Sequence, residues 1–223
     1  MIRAILLDIE GTTSSLSYVK EVMFPYSRRR LRDFLRDHWE RKEIKELLKD
    51  LGELVGKSLD IKEAVNILQD WIDKDLKEPI LKELQGYIWE EGFKSGELKG
   101  HMYEDAYEKI REWKEKDYKL YIYSSGSVKA QKLFFGNTNY GDLTMLFDGF
   151  FDTSIGSKKD KSSYLSIAEK IGIKPEHFLF LSDMEEELKA ARDAGMKTIK
   201  IDRYGAGQPS SHKVINNFLE LDL

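Results

Sequence analysis

Two carboxylates one residue apart, Asp8 and Glu10, stand directly after the short apolar run 2–7 and are followed by Gly11-Thr12-Thr13. An acid pair at a strand end, with a glycine that lets the chain turn sharply, brings both carboxylates and several backbone N–H groups near one point. That point suits a cation and a phosphate. Taken alone, Asp8 would more often cap a turn, so the case rests on what the rest of the chain supplies. Asp183 follows the apolar run 178–181, and Ser124-Ser125-Gly126 follows the run 120–123. Hydroxyls and N–H groups at such a helix entrance can converge on a phosphate, although a serine N-cap beside a glycine turn is the plainer reading of those residues in isolation.

Phosphoryl transfer asks for an in-line nucleophile, positive charge near the equatorial oxygens and fixed geometry. Asp8 fits the nucleophile, a carboxylate able to form an aspartyl-phosphate that water later hydrolyses. Mg²⁺ is the expected cofactor, because it takes about six oxygen ligands of which only one or two are carboxylates. Asp8, Glu10 and Asp183 are its expected protein ligands, with Glu10 using either its side chain or its backbone carbonyl. In the acidic run after Asp183, Glu185 and Glu186 read as favourable charges at a helix start. Glu187 is the one that could orient a metal-bound water.

The elements that must position these groups follow from periodicity. The run 2–7 is too short for an ordinary helix and reads as a buried central strand. From residue 18 to about residue 97 only helical spacing is visible, as in Leu31, Phe34 and Leu35, or Ala64, Val65 and Leu68. From residue 103 onward helices alternate with short apolar strands: helix 103–116, strand 120–123, helix 128–135, an edge strand near Phe150, helix 162–171, strand 178–181, helix 185–194 and strand 198–201. That alternation predicts an α/β fold, a parallel Rossmann-like sheet with crossover helices. The helical block is inserted after the first strand, giving a catalytic core of residues 1–15 and 101–223 and an all-helical cap of residues 16–100. Gly96 and Gly100 mark the expected return hinge.

Composition narrows the partners. The 223 residues suffice for one large domain or a core with an insert. A formal net charge of −4 with both signs abundant leaves no basic stripe for nucleic acid. Cysteine is absent, which removes disulfides and thiolate chemistry and fits a reducing cytoplasm. The N-terminal apolar run contains Arg3 and is far too short to span a membrane. The expected partner is therefore a small phosphate ester, handled by a monomer in the cytoplasm without nucleic acid or membrane. The four histidines, His38, His101, His177 and His212, lack metal-ligand spacing and read as structural or exposed.

The motif Asp8-Ile9-Glu10-Gly11-Thr12-Thr13, with Phe24-Pro25-Tyr26, Gln85-Gly86-Tyr87-Ile88-Trp89, the Ser124-Ser125-Gly126 turn, Phe151-Asp152-Thr153 with Gly156 and Lys158, and Leu181-Ser182-Asp183, resembles the haloacid dehalogenase-like hydrolases. Within them it is similar to the enolase-phosphatases of methionine salvage. The resemblance runs over nearly the whole chain. It implies enolisation of 2,3-diketo-5-methylthiopentyl-1-phosphate followed by dephosphorylation of the enol to acireductone. It also implies Ser124, Ser125 and Lys158 as phosphate-binding residues, although Lys159 and Lys161 stand close by. Many relatives in the wider superfamily carry Asp at position 10. Glu is what the enolase-phosphatases carry, and it is the candidate to move the proton during enolisation. The cap would shut over the site, with Phe24, Tyr26, Trp89 and Phe93 as candidates to line an apolar pocket for the methylthio tail, although residues so spaced are more often helix packing. Two other readings compete: a phosphatase of the same fold without the enolase step, and a phospho-acceptor switch domain, against which the position of Asp8 after the first strand argues.

Overall fold

The computed structural model describes residues 1–74, 76, 78–205, 207 and 209–223. In chain order the main elements are β1 (Ala4–Leu7), α1 (Phe24–His38), α2 (Lys42–Val55), α3 (Ile61–Asp73), α4 (Pro79–Ser95), α5 (Glu104–Glu115), β2 (Lys119–Tyr123), α6 (Val128–Gly136), β3 (Gly149–Phe151), α7 (Lys161–Ile171), β4 (Phe178–Ser182), α8 (Glu185–Asp193), β5 (Lys197–Ile201) and β6 (Lys213–Ile215). The strands form one sheet in the order β3-β2-β1-β4-β5-β6, and every neighbouring pair is parallel. The α/β fold class read from the sequence holds. β6 was not foreseen, because two of its three residues are exposed and it carries no apolar run.

All four residues of β1 are buried, as a central parallel strand covered on both faces requires. On one face Leu6, Tyr123 and Phe180 pack with Tyr164 and Ile167 of α7 and Leu188 of α8. Sheet register then fixes the site. Leu7 pairs with Ile122 on one side and with Leu181 on the other, so the residues just past β1, β2 and β4 emerge at the same edge of the sheet. Asp8 N–H continues the ladder by donating to the Leu181 carbonyl at 3.0 Å. The chain order reverses around β1, the usual location of a ligand crevice in an open α/β sheet.

The contacts divide the chain into two compact units, Met1–Leu16 with Lys99–Leu223, and Ser17–Leu98. The second is all helical and begins with a π-helical turn, Val19–Met23, running into α1. Its internal packing explains two of the sequence motifs. Gln85 on α4 donates from Nε2 to the Ser27 hydroxyl on α1 at 3.3 Å, and the Trp89 indole N–H donates to the Met23 carbonyl at 2.9 Å. A Cβ on Gly92 would meet the Tyr26 ring at 2.7 Å, so the glycine is what lets that ring lie against α4. The Tyr26 hydroxyl donates to Glu97 at 2.9 Å, Phe24 packs 6.0 Å from the Trp89 ring, and Phe93 is buried. Three of the four aromatic residues considered for the tail pocket, Phe24, Tyr26 and Trp89, thus have partners within their own unit.

Gly96, at φ +78°, ends α4 in the left-handed conformation. Gly100 has a different task. Its N–H donates to the Asn137 carbonyl at 2.7 Å, and a Cβ there would lie 2.6 Å from the Phe134 carbonyl oxygen. It is a point of close backbone approach within the α/β unit.

Candidate active site

The loop after β1 is built around one carbonyl. Ile9 O accepts from the N–H groups of Thr12, Thr13 and Ser14 at 3.2, 3.0 and 2.9 Å, which coils the chain tightly behind Asp8. Gly11 supplies the turn at φ +71°, and a Cβ there would lie 2.5 Å from Asp183 Oδ2. Glycine is needed at this position for both its backbone and the space it leaves. Thr13, fully buried, donates its hydroxyl to the Asp8 carbonyl at 3.1 Å.

Asp8 is only 4% exposed. Its Oδ1 accepts from the Ile9 N–H at 2.8 Å and from Lys158 Nζ at 2.6 Å, and its Oδ2 accepts from the Ser182 hydroxyl at 3.2 Å. Lys158 also lies 2.8 Å from Glu187 Oε2, which is 3.0 Å from the same Ser182 hydroxyl. Burial alone would lower the Lys158 pKa, but the carboxylates of Asp8 and Glu187 more than offset this and hold the ammonium above its ordinary value. Glu187 is pushed up by burial and by the charge of Asp8, against the pull of Lys158. Glu187, considered in the sequence for orienting a metal-bound water, here pairs with Lys158, a contact the sequence did not suggest.

The lysine loop is held by hydroxyls. Tyr123 donates to the Gly156 carbonyl at 2.9 Å, Ser163 to the Ser157 carbonyl at 2.7 Å and Tyr164 to the Lys158 carbonyl at 2.7 Å. The neighbouring lysines have other surroundings. Lys159 pairs with Glu186 at the surface, and Lys161 is exposed. The two other acids at the α8 start are also engaged, since Glu185 pairs with Lys200 at 3.3 Å and accepts from the Ser211 N–H at 3.0 Å.

At the end of β2, the α6 N-cap is Ser127, which accepts from the Ala130 N–H at 3.2 Å. Neither Ser124 nor Ser125 is the cap. Ser124 is buried and Ser125 exposed, and both line a cavity of about 110 Å³ with Asp8, Glu10, Leu16, Lys158, Asp183, Met184 and Glu187. The residues expected to act as nucleophile, metal ligands and phosphate binders, Asp8, Glu10, Ser124, Ser125, Lys158 and Asp183, therefore border one cavity together with Glu187. Sequence reasoning quoted Ser182 and Thr12 only as parts of motifs and gave them no role, whereas Ser182 bridges Asp8 and Glu187 and the Thr12 hydroxyl accepts from the Asp183 N–H at 3.1 Å. Ser182 could have been found from its place between a buried strand and Asp183.

The carboxyl of Asp183 is pushed up from its ordinary 3.8 to about 7, by burial first and then by the charges of Asp8 and Glu187. Its Oδ1 is buried with no hydrogen-bond partner, an unusual cost for a carboxylate unless a cation meets it. Glu10 stands exposed at the rim, yet the surrounding protein and then the charge of Asp8 hold its carboxyl above the usual range. Among the described residues no three His, Cys, Asp or Glu side chains form a ready cage for a metal. Two carboxylates with neighbouring carbonyl oxygens match instead a hard divalent cation that keeps several waters.

Comparison with known proteins agrees with this chemistry. Residues 2–195 match the family model of the haloacid dehalogenase-like hydrolases. The chain is 58% identical to the enolase-phosphatase E1 of Aquifex aeolicus, with all of both chains covered. It is 56% identical to the enolase-phosphatase E1 of Persephonella marina, covering 98% of this chain and 94% of that one. The crystal structure of the UTR4 protein of Saccharomyces cerevisiae superimposes with a TM-score of 0.86 at 35% identity, covering 99% of this chain and 100% of that one. Among the described residues no helix is long and apolar enough to cross a membrane.

Proposed function

The chain belongs to the enolase-phosphatase family of haloacid dehalogenase-like hydrolases, and from that premise we propose how its own residues carry the reaction. It is an enzyme with phosphatase activity. The substrate we assign is 2,3-diketo-5-methylthiopentyl-1-phosphate, converted first to an enol phosphate and then to acireductone and inorganic phosphate.

In this reading Asp8 is the nucleophile. Its Oδ1 already holds two hydrogen bonds, whereas Oδ2 receives one long one from Ser182, so Oδ2 is the oxygen with a lone pair to spare. Attack forms an aspartyl-phosphate and releases the enol; water then cleaves the acyl phosphate and restores the carboxylate. Lys158 neutralises charge on the phosphoryl oxygens, and Glu187 keeps its ammonium in place. Ser124 and Ser125, with the backbone N–H groups of their turn, bind the phosphate. Glu10, at the rim with a raised pKa, removes the C–H proton next to the diketone and later serves the phosphoryl step as acid or base.

We assign the cofactor as Mg²⁺, held by Asp8, Asp183 and the backbone carbonyl of Glu10, which leaves the Glu10 carboxylate free for proton transfer. When bound, the cation supplies Lewis acidity toward phosphate and enediolate oxygens. The helical block 16–100 is read as the cap.

The observation that carries this reading is the Lys158 ammonium on Asp8 Oδ1 in a cavity rimmed by Glu10. The test is a time course with the diketone phosphate. Enol absorbance in the ultraviolet should rise before free phosphate appears. Phosphate release with no enol signal would reduce the enzyme to a plain phosphatase of the same fold.

A further inference from the structure

Against the carbonyl of Thr12 in the catalytic loop lies a buried cation with no part in the scheme above. Arg203 follows β5, and its side chain is only 6% exposed. All three of its nitrogens are engaged. Nε and Nη2 donate to the Thr12 carbonyl at 3.0 and 2.7 Å, and Nη1 donates to both oxygens of Asp105 at 2.7 Å. The guanidinium lies over the Tyr103 ring, 4.0 Å from its centroid. Asp105 is itself fixed, accepting from the Phe218 N–H at 2.7 Å.

The segment carrying Tyr103 and Asp105 also touches the loop directly. Tyr103 N–H donates to the Thr13 carbonyl at 3.0 Å, and His101 Nδ1 accepts from the Ser15 N–H at 3.0 Å. Thr12 is therefore gripped on two sides: Arg203 holds its carbonyl, and its hydroxyl holds the Asp183 N–H.

We propose that Arg203, braced by Asp105 and Tyr103, is a positioning residue that fixes Thr12 and through it sets Asp183 against the Asp8–Gly11 loop, preparing the cation site. The proposal rests on the metal reading given above. Its contribution is geometric. The charge of Arg203 is matched by Asp105, and what reaches the loop is a planar fork placing two donors on one carbonyl oxygen. A lysine keeps the charge but cannot hold that carbonyl and the carboxylate in the same way.

The test compares Arg203→Lys with Lys109→Met, a change at another buried cation, one turn beyond Asp105 on α5 and paired with Glu112 and Asp222 rather than with the loop. Two quantities are read on the substrate-free protein: Mg²⁺ affinity by isothermal titration calorimetry, and exchange of the Asp183 amide hydrogen by NMR in metal-free buffer. Arg203→Lys should raise the Mg²⁺ Kd about 10- to 100-fold, the usual scale for residues supporting a metal ligand. It should also speed exchange at Asp183 while the Phe180 amide in β4 keeps its protection. Lys109→Met should change neither. Wild-type Kd and exchange in Arg203→Lys, or equal shifts in both variants, would overturn the proposal. Should the wild type bind no Mg²⁺, the metal reading fails while the exchange comparison still decides the role of Arg203. If Arg203→Lys does not fold, Asp105→Asn loosens the same brace more gently. A smaller shift in the same direction supports the proposal, and unchanged exchange overturns it.

Discussion

Lys158 Nζ lies 2.6 Å from Asp8 Oδ1 and 2.8 Å from Glu187 Oε2, so one buried ammonium holds two buried carboxylates. The distances span a chain separation of 150 residues for Asp8 and Lys158, and the contact exists only because β1 sits at the centre of the sheet. It joins stability to catalysis in one side chain.

Asp8→Asn should abolish turnover while the fold survives, because the amide keeps the size and one acceptor oxygen but is no nucleophile. Circular dichroism and a phosphate assay check it. Substantial activity in a verified, non-deamidated sample would remove Asp8 from the nucleophile role.

Lys158→Met should unfold more readily as well as lose activity. Removing one partner of a buried charge cluster typically costs about 3–5 kcal/mol. The sign of its pH dependence follows from Glu187, whose carboxyl is already raised by burial and by Asp8. Without the ammonium it rises further, and the folded state then holds a proton that the unfolded state has released. The variant's deficit against wild type should therefore be small near pH 5 and grow toward pH 8, measured by urea unfolding. A deficit independent of pH would contradict the buried cluster.

Metal binding should weaken in acid. Asp183 is raised from 3.8 to about 7 in the metal-free fold. Between those values the folded state binds a proton that the unfolded state lacks, so this group's contribution to metal-free stability falls as pH rises through the window. Mg²⁺ must displace that proton below pH 7, and its Kd should rise up to about tenfold per pH unit there, levelling above pH 8. Calorimetric titrations at pH 6, 7 and 8 measure it, and a flat Kd would mean that Asp183 is no ligand.

Glu10→Gln separates the two chemical steps. Enolisation of the diketone phosphate should slow by a factor of about 10²–10⁴, the usual scale for general acid–base catalysis. Hydrolysis of p-nitrophenyl phosphate, whose leaving group needs no enolisation, should suffer much less. Equal losses would assign Glu10 to the phosphoryl step alone and send the search for the enolisation base elsewhere.

The strands that carry chemistry were legible because each is a fully or nearly fully buried apolar run ending in a small polar or acidic residue. That pattern alone singles out Asp8, Ser124 and Asp183. The first strand begins at Ala4, two residues later than the apolar run suggested, since Arg3 carries its side chain to the surface. What escaped the sequence was long-range geometry. Ser127 takes the capping role that the spacing equally offered to Ser124 or Ser125, and nothing local distinguishes three serines around a glycine. Arg203 sits before a glycine-containing stretch and reads as a surface loop residue; its burial depends on Tyr103, Asp105 and Phe218 arriving from elsewhere in the chain. The Phe-Pro-Tyr and Gln-Gly-x-x-Trp motifs were visible, but their mutual docking through Gln85, Ser27 and Gly92 was not.

The central place of β1 also governs the order in which the protein can be made. This strand is made before both of its neighbours, which start only at Lys119 and Phe178, so an apolar ribbon with a reactive aspartate at its end has no strand partner until β2 has been synthesised. The helical unit Ser17–Leu98 closes on itself and is complete before either neighbour appears. Domains that fold as units during synthesis shorten the unstructured chain, and pairings of such long sequence separation form slowly. The catalytic centre can therefore assemble only once β4 docks beside β1 and brings Asp183 to a strand made long before it.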